Sequence, residues 1–227
     1  MIKVAIAGSE GRMGRRIAEL AQKDIDIAVV SRFDVGIEPE PEIAKCDILI
    51  EFTTPGATVS HALIAEKLGK GMVIGTTALS AKDNNVITAI SKTIPIVLSP
   101  NMSMGVNLLF KMCRDVARIL PKSYKITMSE THHALKKDAP SGTAKRLAVL
   151  ISRQRGEQTD SIPISSIREG EVVGNHSVTF ESATEKIILT HNAKTRDTFA
   201  AGAIIAAKFL YGKRNGLYSM EDVLGIV

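Results

Sequence analysis

Met1-Ile2-Lys3-Val4-Ala5-Ile6-Ala7-Gly8-Ser9-Glu10-Gly11-Arg12-Met13-Gly14 is the stretch on which the fold turns. Ile2, Val4 and Ile6 begin the pattern of a buried strand, and the run breaks at a glycine-rich turn. Ile17-Ala18-Glu19-Leu20-Ala21 then opens a helix, and residues 25–30 read as a second strand, which completes a βαβ unit. Strand signals return at residues 47–52, 72–75 and 95–98 with helical stretches between them. Five strand signals alternating with helices predict an α/β fold, a Rossmann-like doubly wound parallel sheet. Glycines let the backbone turn tightly and approach a ligand, so the helix after Gly8 to Gly14 aims its N-terminal amides at a pyrophosphate.

The spacing is Gly-x-x-Gly-x-x-Gly, with Glu10 where the common fingerprint has its middle glycine. A carboxylate is disfavoured beside phosphates, so Glu10 is expected to point away from the cofactor. Where an Asp or Glu usually takes the ribose hydroxyls, at the end of the second strand, stand Ser31 and Arg32. Arg32 can neutralise a 2′-phosphate, which tilts the expectation toward NADPH over NADH.

Past Pro100 the texture changes. A helical segment spans about residues 106–120, Tyr124-Lys125-Ile126-Thr127-Met128-Ser129-Glu130 alternates like a strand with one exposed face, and residues 176–180 and 186–191 alternate similarly. These predict a second domain with an open mixed or antiparallel sheet, before an Ala-rich helix at 198–210. The length of 227 residues suits two modest domains.

The formal charge of +5 is spread along the chain and Trp is absent, so no nucleic-acid surface is expected and an anionic small molecule accounts for the excess. Cys46 and Cys113 are far apart and form neither a disulfide framework nor a metal-type spacing, so no metal is expected and a reducing cytoplasm fits. No apolar run approaches the roughly 20 residues of a membrane span.

The chemistry concentrates in Glu130-Thr131-His132-His133-Ala134-Leu135-Lys136-Lys137-Asp138-Ala139-Pro140-Ser141-Gly142-Thr143-Ala144. Imidazoles at His132 and His133 suit proton transfer near neutral pH, and a neighbouring ammonium can polarise an acceptor or donate a proton. Gly142 and Thr143 precede a helical run, whose N-terminal amides can hold a carboxylate. By contrast His61 reads as structural or surface, His191 as part of a sheet, and His176 receives no role. Lys67, Lys70, Lys82 and Lys92 read as solvated.

This stretch resembles the dihydrodipicolinate reductase signature, E-x-H-H-x-x-K-x-D-A-P-S-G-T-A, at every fixed position. The resemblance extends to Gly-Arg-Met-Gly at 11–14, Phe52-Thr53-Thr54-Pro55, Gly71-Met72-Val73-Ile74-Gly75-Thr76-Thr77, Pro100-Asn101-Met102-Ser103-Met104-Gly105-Val106-Asn107, Arg168-Glu169-Gly170, Gly174-Asn175-His176 and Thr195-Arg196 through Phe199-Ala200, nearly the whole chain. It implies an NAD(P)H-dependent reduction of 4-hydroxy-tetrahydrodipicolinate to tetrahydrodipicolinate in the diaminopimelate route to lysine. It also implies His132 as acid/base, Lys136 as proton donor, and His133, Gly142 and Thr143 at the substrate carboxylates. Cofactor contacts are implied at Gly8, Ser9, Glu10, Gly11, Arg12, Met13, Arg32, Gly75, Thr76, Thr77, Ser99, Pro100, Asn101 and Met102. The implied plan has a dinucleotide domain of residues 1–102 and 196–227, and an inserted α+β substrate and oligomerisation domain of 103–195. A homotetramer paired through the inserted sheet, with hinge closure, is implied too.

The chain departs from better-known members at Ala134 and Leu135, often basic, and at Met102, often aromatic; a flexible thioether can pack at the latter. The alternative is a nicotinamide-dependent dehydrogenase of another amino or hydroxy acid, since fold alone does not fix substrate. That enzyme would not need the His-His and Ser-Gly-Thr cluster. A nucleotide sensor or nucleic-acid binder would need a concentrated basic surface, which the sequence lacks.

Overall fold

Strand β1 (Ile2–Ala7) is buried from Val4 to Ala7, and its alternate residues enter two different cores. Val4 and Ile6 join one with Ile17, Ile50 and Ala203, while Ala5 and Ala7 join another with Phe33, Leu49 and Ile74. A strand covered on both faces must be apolar at every position, which is why the first stretch of sequence does not alternate. The computed structural model describes residues 1–226. The chain forms two compact units, Met1–Met104 with the segment from Asp197 onward, and Gly105–Arg196.

In the first unit β1 is followed by α1 (Arg12–Ala21), β2 (Ile27–Phe33), α2 (Pro39–Ala44), β3 (Ile48–Glu51), α3 (Pro55–Lys67), β4 (Gly71–Ile74), α4 (Ala81–Ile90) and β5 (Pro95–Leu98). After the second unit the chain returns as α7 (Asp197–Leu210), β10 (Gly216–Tyr218) and α8 (Met220–Leu224). Six parallel strands lie in the order β10-β5-β4-β3-β1-β2. The expected doubly wound sheet is present, and β10 adds an edge strand that three residues were too short to announce. Helix α7 buries Ala200, Ala203, Ala206 and Ala207 in the core it shares with α1; small side chains let its backbone approach closely.

Strand β2 corrects the expectation of residues 25–30. Ile25 is 87% exposed, in a turn where the Asp26 amide donates to the Asp24 carboxylate at 3.0 Å. A register shift between Val4 and Ala5 passes over Val30, and burial of Phe33 carries the strand three residues further. Ser31 and Arg32 therefore lie within β2, and Asp34 is the residue that emerges from it.

The second unit contains α5 (Met104–Ile119, its first residue in the first unit), β6 (Lys125–His132), α6 (Gly142–Arg155), a short 3₁₀ turn (Thr159–Ser161), β7 (Ile164–Arg168), β8 (Gly174–Glu181) and β9 (Lys186–Ala193). Its sheet runs β7-β6-β8-β9, with β6 parallel to β7 and antiparallel to β8, so it is mixed. Ile126, Met128, Glu130 and His132 alternate onto the buried face, toward a core with Phe110, Leu147, Ile151 and Phe180. The period that buries Ile126 and Met128 thus also buries the first two chemically active side chains of β6.

A Cβ at Gly14 would stand 2.1 Å from the Gly8 carbonyl oxygen. Gly14→Ala should therefore lower stability by about 2–4 kcal/mol through backbone displacement, read as a fall in the urea unfolding midpoint. An unchanged midpoint would show that the turn can open without cost.

Candidate active site

Gly8 adopts φ +76°, and a Cβ there would meet the Phe52 carbonyl oxygen at 2.5 Å. The glycine turn is thus pressed against the end of β3, and Gly11 caps the N-terminus of α1. Beside it lies a cavity of about 530 Å³ lined by Gly8, Glu10, Gly11, Phe33, Asp34, Val35, Ile37, Phe52, Thr53, Thr54, Ala57 and His61. A second, about 470 Å³, is lined by Gly11, Arg12, Met13, Phe52, Thr53, Gly75, Thr76, Thr77, Pro100, Asn101, Met102 and Phe199. They share Gly11, Phe52 and Thr53, and so flank the glycine turn and the helix N-terminus, whose free amides suit an anion. A dinucleotide fits this groove: two lobes for its two halves, with backbone amides between them.

Most of the expected cofactor residues line the groove. Ser9 and Ser99 are instead buried in its walls; the Ser99 hydroxyl donates to the Asn101 carbonyl at 2.8 Å and shapes that loop. Arg32 lines neither lobe. Its guanidinium stands 3.8 Å from Glu10, which also pairs with Arg15 at 3.1 Å. Asp34, missed because the strand was ended too early, lines the first lobe. Its carboxylate accepts the Glu10 amide at 2.9 Å and the Val35 amide at 2.8 Å. Asp34 thereby holds the backbone of the residue expected to repel a phosphate, and Glu10's side chain turns to the arginines.

In the second unit Glu130 is 1% exposed. Arg168 grips it through both carboxylate oxygens, at 3.0 and 2.7 Å, the Ser141 amide donates to it at 3.2 Å, and it is hydrogen-bonded to His132 Nδ1. Burial pushes the Glu130 pKa up, but Arg168 and then His132 outweigh it and hold the group at about 2. The same burial lowers the pKa of His132, reinforced by the charges of Lys136 and Arg168 and only partly offset by Glu130. At neutral pH the ring is therefore uncharged, with Nδ1–H donated to Glu130 and Nε2 left as an acceptor. His132 Nε2 is also the nearest atom, at 3.0 Å, to where a Cβ of Gly174 would stand.

Lys136 follows in the loop after β6 and pairs with Asp138 at 2.7 Å. The Arg168 guanidinium also donates to the Asp138 carbonyl at 2.6 Å, so one side chain fixes both Glu130 and the loop that carries Lys136. Ser141 caps α6 by accepting the Ala144 amide at 3.2 Å, which orients the first-turn amides of Gly142 and Thr143 outward from the helix end. Its hydroxyl also bonds His176 Nε2 at 3.1 Å. His133 is half-buried on the same loop.

Sequence reasoning assigned no role to Glu130, Ser141, Arg168 or His176. Glu130 was legible as an acid two residues before His132, on the same strand face; Arg168 and His176 arrive from β7 and β8, and no local pattern announces that those strands bring them to Glu130 and Ser141. Glu130, His132 and His176 have ligand atoms within 4.8 Å of one another, a spacing that suits a metal ion. Arg168 nevertheless places a cation on both oxygens of Glu130, where an added cation would be repelled. The arrangement is that of a hydrogen-bonded acid–base cluster.

Residues 2–102 match the family model described as dihydrodipicolinate reductase, N-terminus, and residues 105–224 its C-terminus counterpart. The chain is 40% identical to the 4-hydroxy-tetrahydrodipicolinate reductase of Aquifex aeolicus, over 99% of both chains. It is 38% identical to that of Aromatoleum aromaticum, over 99% of this chain and 96% of the relative. Among solved structures, dipicolinate-bound dihydrodipicolinate reductase from Paenisporosarcina sp. TG-14 superimposes with a TM-score of 0.86 at 23% identity, covering 96% of this chain and 97% of the other. An amine dehydrogenase from Mycobacterium smegmatis shares the fold at a TM-score of 0.68 and 10% identity, covering 97% of this chain and 95% of the other.

Burial, then the charge of His132, lowers the His176 pKa from 6.5 to about 4. The unfolded ring binds its proton at the ordinary value, so the stability this group contributes is complete above about pH 6.5 and is lost as pH falls toward about 4. His132 acts with the same sign. The urea midpoint of the second unit should fall between pH 7 and pH 4.5, and His176→Asn should make that slope shallower whatever its absolute stability. An identical slope in the variant would refute the assignment.

Proposed function

The chain belongs to the dihydrodipicolinate reductase family, and from that premise we propose that it reduces 4-hydroxy-tetrahydrodipicolinate to tetrahydrodipicolinate in the diaminopimelate route to lysine. The observation that carries the reading is the Glu130–His132 pair locked by Arg168, with Lys136 on the adjoining loop. Replacing a ring hydroxyl by hydrogen takes one hydride at carbon and one proton on the departing oxygen, and releases water. Reduced nicotinamide, when bound, supplies the hydride.

The chain's own residues supply position and the proton. Lys136, an ammonium, protonates the departing hydroxyl, and neutral His132 offers Nε2 to orient that hydroxyl. Glu130 and Arg168 act through His132 as positioning residues, since they fix its tautomer and ring plane. His133 and the amides of Gly142 and Thr143 take the carboxylates. In the first unit Gly8 to Met13 cradle the pyrophosphate, and Gly75 to Thr77 with Pro100 to Met102 form the nicotinamide lobe. Ser9 and Ser99 shape the walls.

Asp34 tilts the cofactor reading to NADH. It occupies the place where an acid takes ribose hydroxyls, and its charge repels a 2′-phosphate. Arg32, on which the NADPH expectation rested, already has Glu10 beside it. We further place the chain in a homotetramer joined through the mixed sheet, whose edge strand β9 leaves Ile188 56% exposed. The cytoplasm suits the reaction, because reduced dinucleotide is available there and the free thiols of Cys46 and Cys113 persist. No helix among the described residues is long and apolar enough to cross a membrane.

Supplied with freshly made product of dihydrodipicolinate synthase, the protein should consume NADH faster than NADPH. His132→Ala and Lys136→Ala should each lower kcat by roughly 10²–10⁴, and Glu130→Gln by about 10² with little change in KM. Asp34→Ala should raise the NADPH:NADH ratio of kcat/KM about tenfold by removing a like charge. A strong preference for NADPH would overturn the cofactor reading. Dinucleotide binding without turnover would overturn the substrate.

A further inference from the structure

Glu51, the last residue of β3, has no solvent exposure. Its Oε1 accepts the Thr53 amide at 3.1 Å and the Thr58 hydroxyl at 3.3 Å, and it also bonds the Thr53 hydroxyl. Its Oε2 meets His61 Nδ1 at 2.7 Å. His61 lies on α3 and was read from sequence as structural or surface, yet its ring lines the first lobe of the groove. Phe33 stands edge-on to it at 5.4 Å and fixes its plane. With Nδ1 donating to Glu51, Nε2 is left as the ring's acceptor. That atom has no hydrogen-bond partner among the described residues.

The rest of the lobe has the character of a base pocket. Val35 is 98% and Ile37 54% exposed, large apolar side chains that the fold leaves uncovered and a planar ring would cover. Asp34 serves the ribose, so His61 is the remaining side chain able to read the base edge from α3.

We propose that His61 reads the purine of the dinucleotide, accepting a hydrogen bond from the 6-amino group of adenine, and that buried Glu51 sets its tautomer for that purpose. The inference rests on the nucleotide reading of this groove and deepens it to base specificity. Hypoxanthine carries a carbonyl acceptor at the same position, and two acceptors facing each other leave both unpaired.

Reduced nicotinamide fluorescence distinguishes the cases, with NADH and its hypoxanthine analogue titrated separately. Wild type should bind NADH at least tenfold more tightly than the analogue, and His61→Leu should bring the ratio near one while retaining NADH binding. In Glu51→Gln the amide oxygen stays with the Thr53 amide, so the new NH₂ faces His61 Nδ1 and forces the proton onto Nε2. That ring donates instead of accepting, and the preference should shift toward hypoxanthine. Equal affinity of wild type for the two dinucleotides, or a ratio unmoved by His61→Leu, overturns the proposal and leaves the groove a nucleotide site. Failure to bind either overturns the nucleotide reading itself. If Glu51→Gln does not fold, the His61→Leu ratio decides alone.

Discussion

A carboxylate shut away from water must find its partners inside the protein, because an unpaired buried charge costs several kcal/mol. Glu130 meets that requirement with Arg168, the Ser141 amide and His132, and most of the second unit's chemistry follows from it. The guanidinium comes from β7, so the parallel pairing of β6 with β7 is a precondition of the site. Ser141 ties the same carboxylate to the start of α6. The first unit repeats the device: Glu51 at the end of β3 holds His61 through the same ring nitrogen and settles its other oxygen on Thr53 and Thr58. In both places a buried glutamate turns a flexible imidazole into one with a fixed tautomer.

The parallel sheet imposes the complementary constraint. Strands covered on both faces tolerate polar side chains only at their ends, so Glu51 occurs where β3 finishes, and Asp34 follows the last residue of the edge strand β2. Ligand groups gather at those carboxyl ends because the interior of such a sheet has no room for them. The mixed sheet follows another rule, with one face packed against α5 and α6 and the other exposed, so a period of two carries Glu130 and His132 inward together with Ile126 and Met128.

The glycine turn, the alternation of strands with helices and the segment from Glu130 to Ala144 were legible because their signals are local. Doubly wound architecture, family and the concentration of chemistry after β6 could all be read from them. The second strand was legible but its bounds were not: it runs Ile27–Phe33 where 25–30 was expected, because hydropathy alone does not register a shift that skips Val30 or the weight of one buried Phe33. Arg32 was thereby expected at the end of a strand that runs on to Phe33, with Asp34 the residue that follows it.

What the sequence determined by itself was the order of elements and the kinds of side chain available, since strand and helix periods and glycine turns are properties of neighbouring residues. Only the tertiary structure decided which of those side chains meet. Glu130 is 38 residues from Arg168 and Ser141 is 35 from His176, and such pairings are set by strand register and the burial of charge, neither of which any short stretch of chain contains.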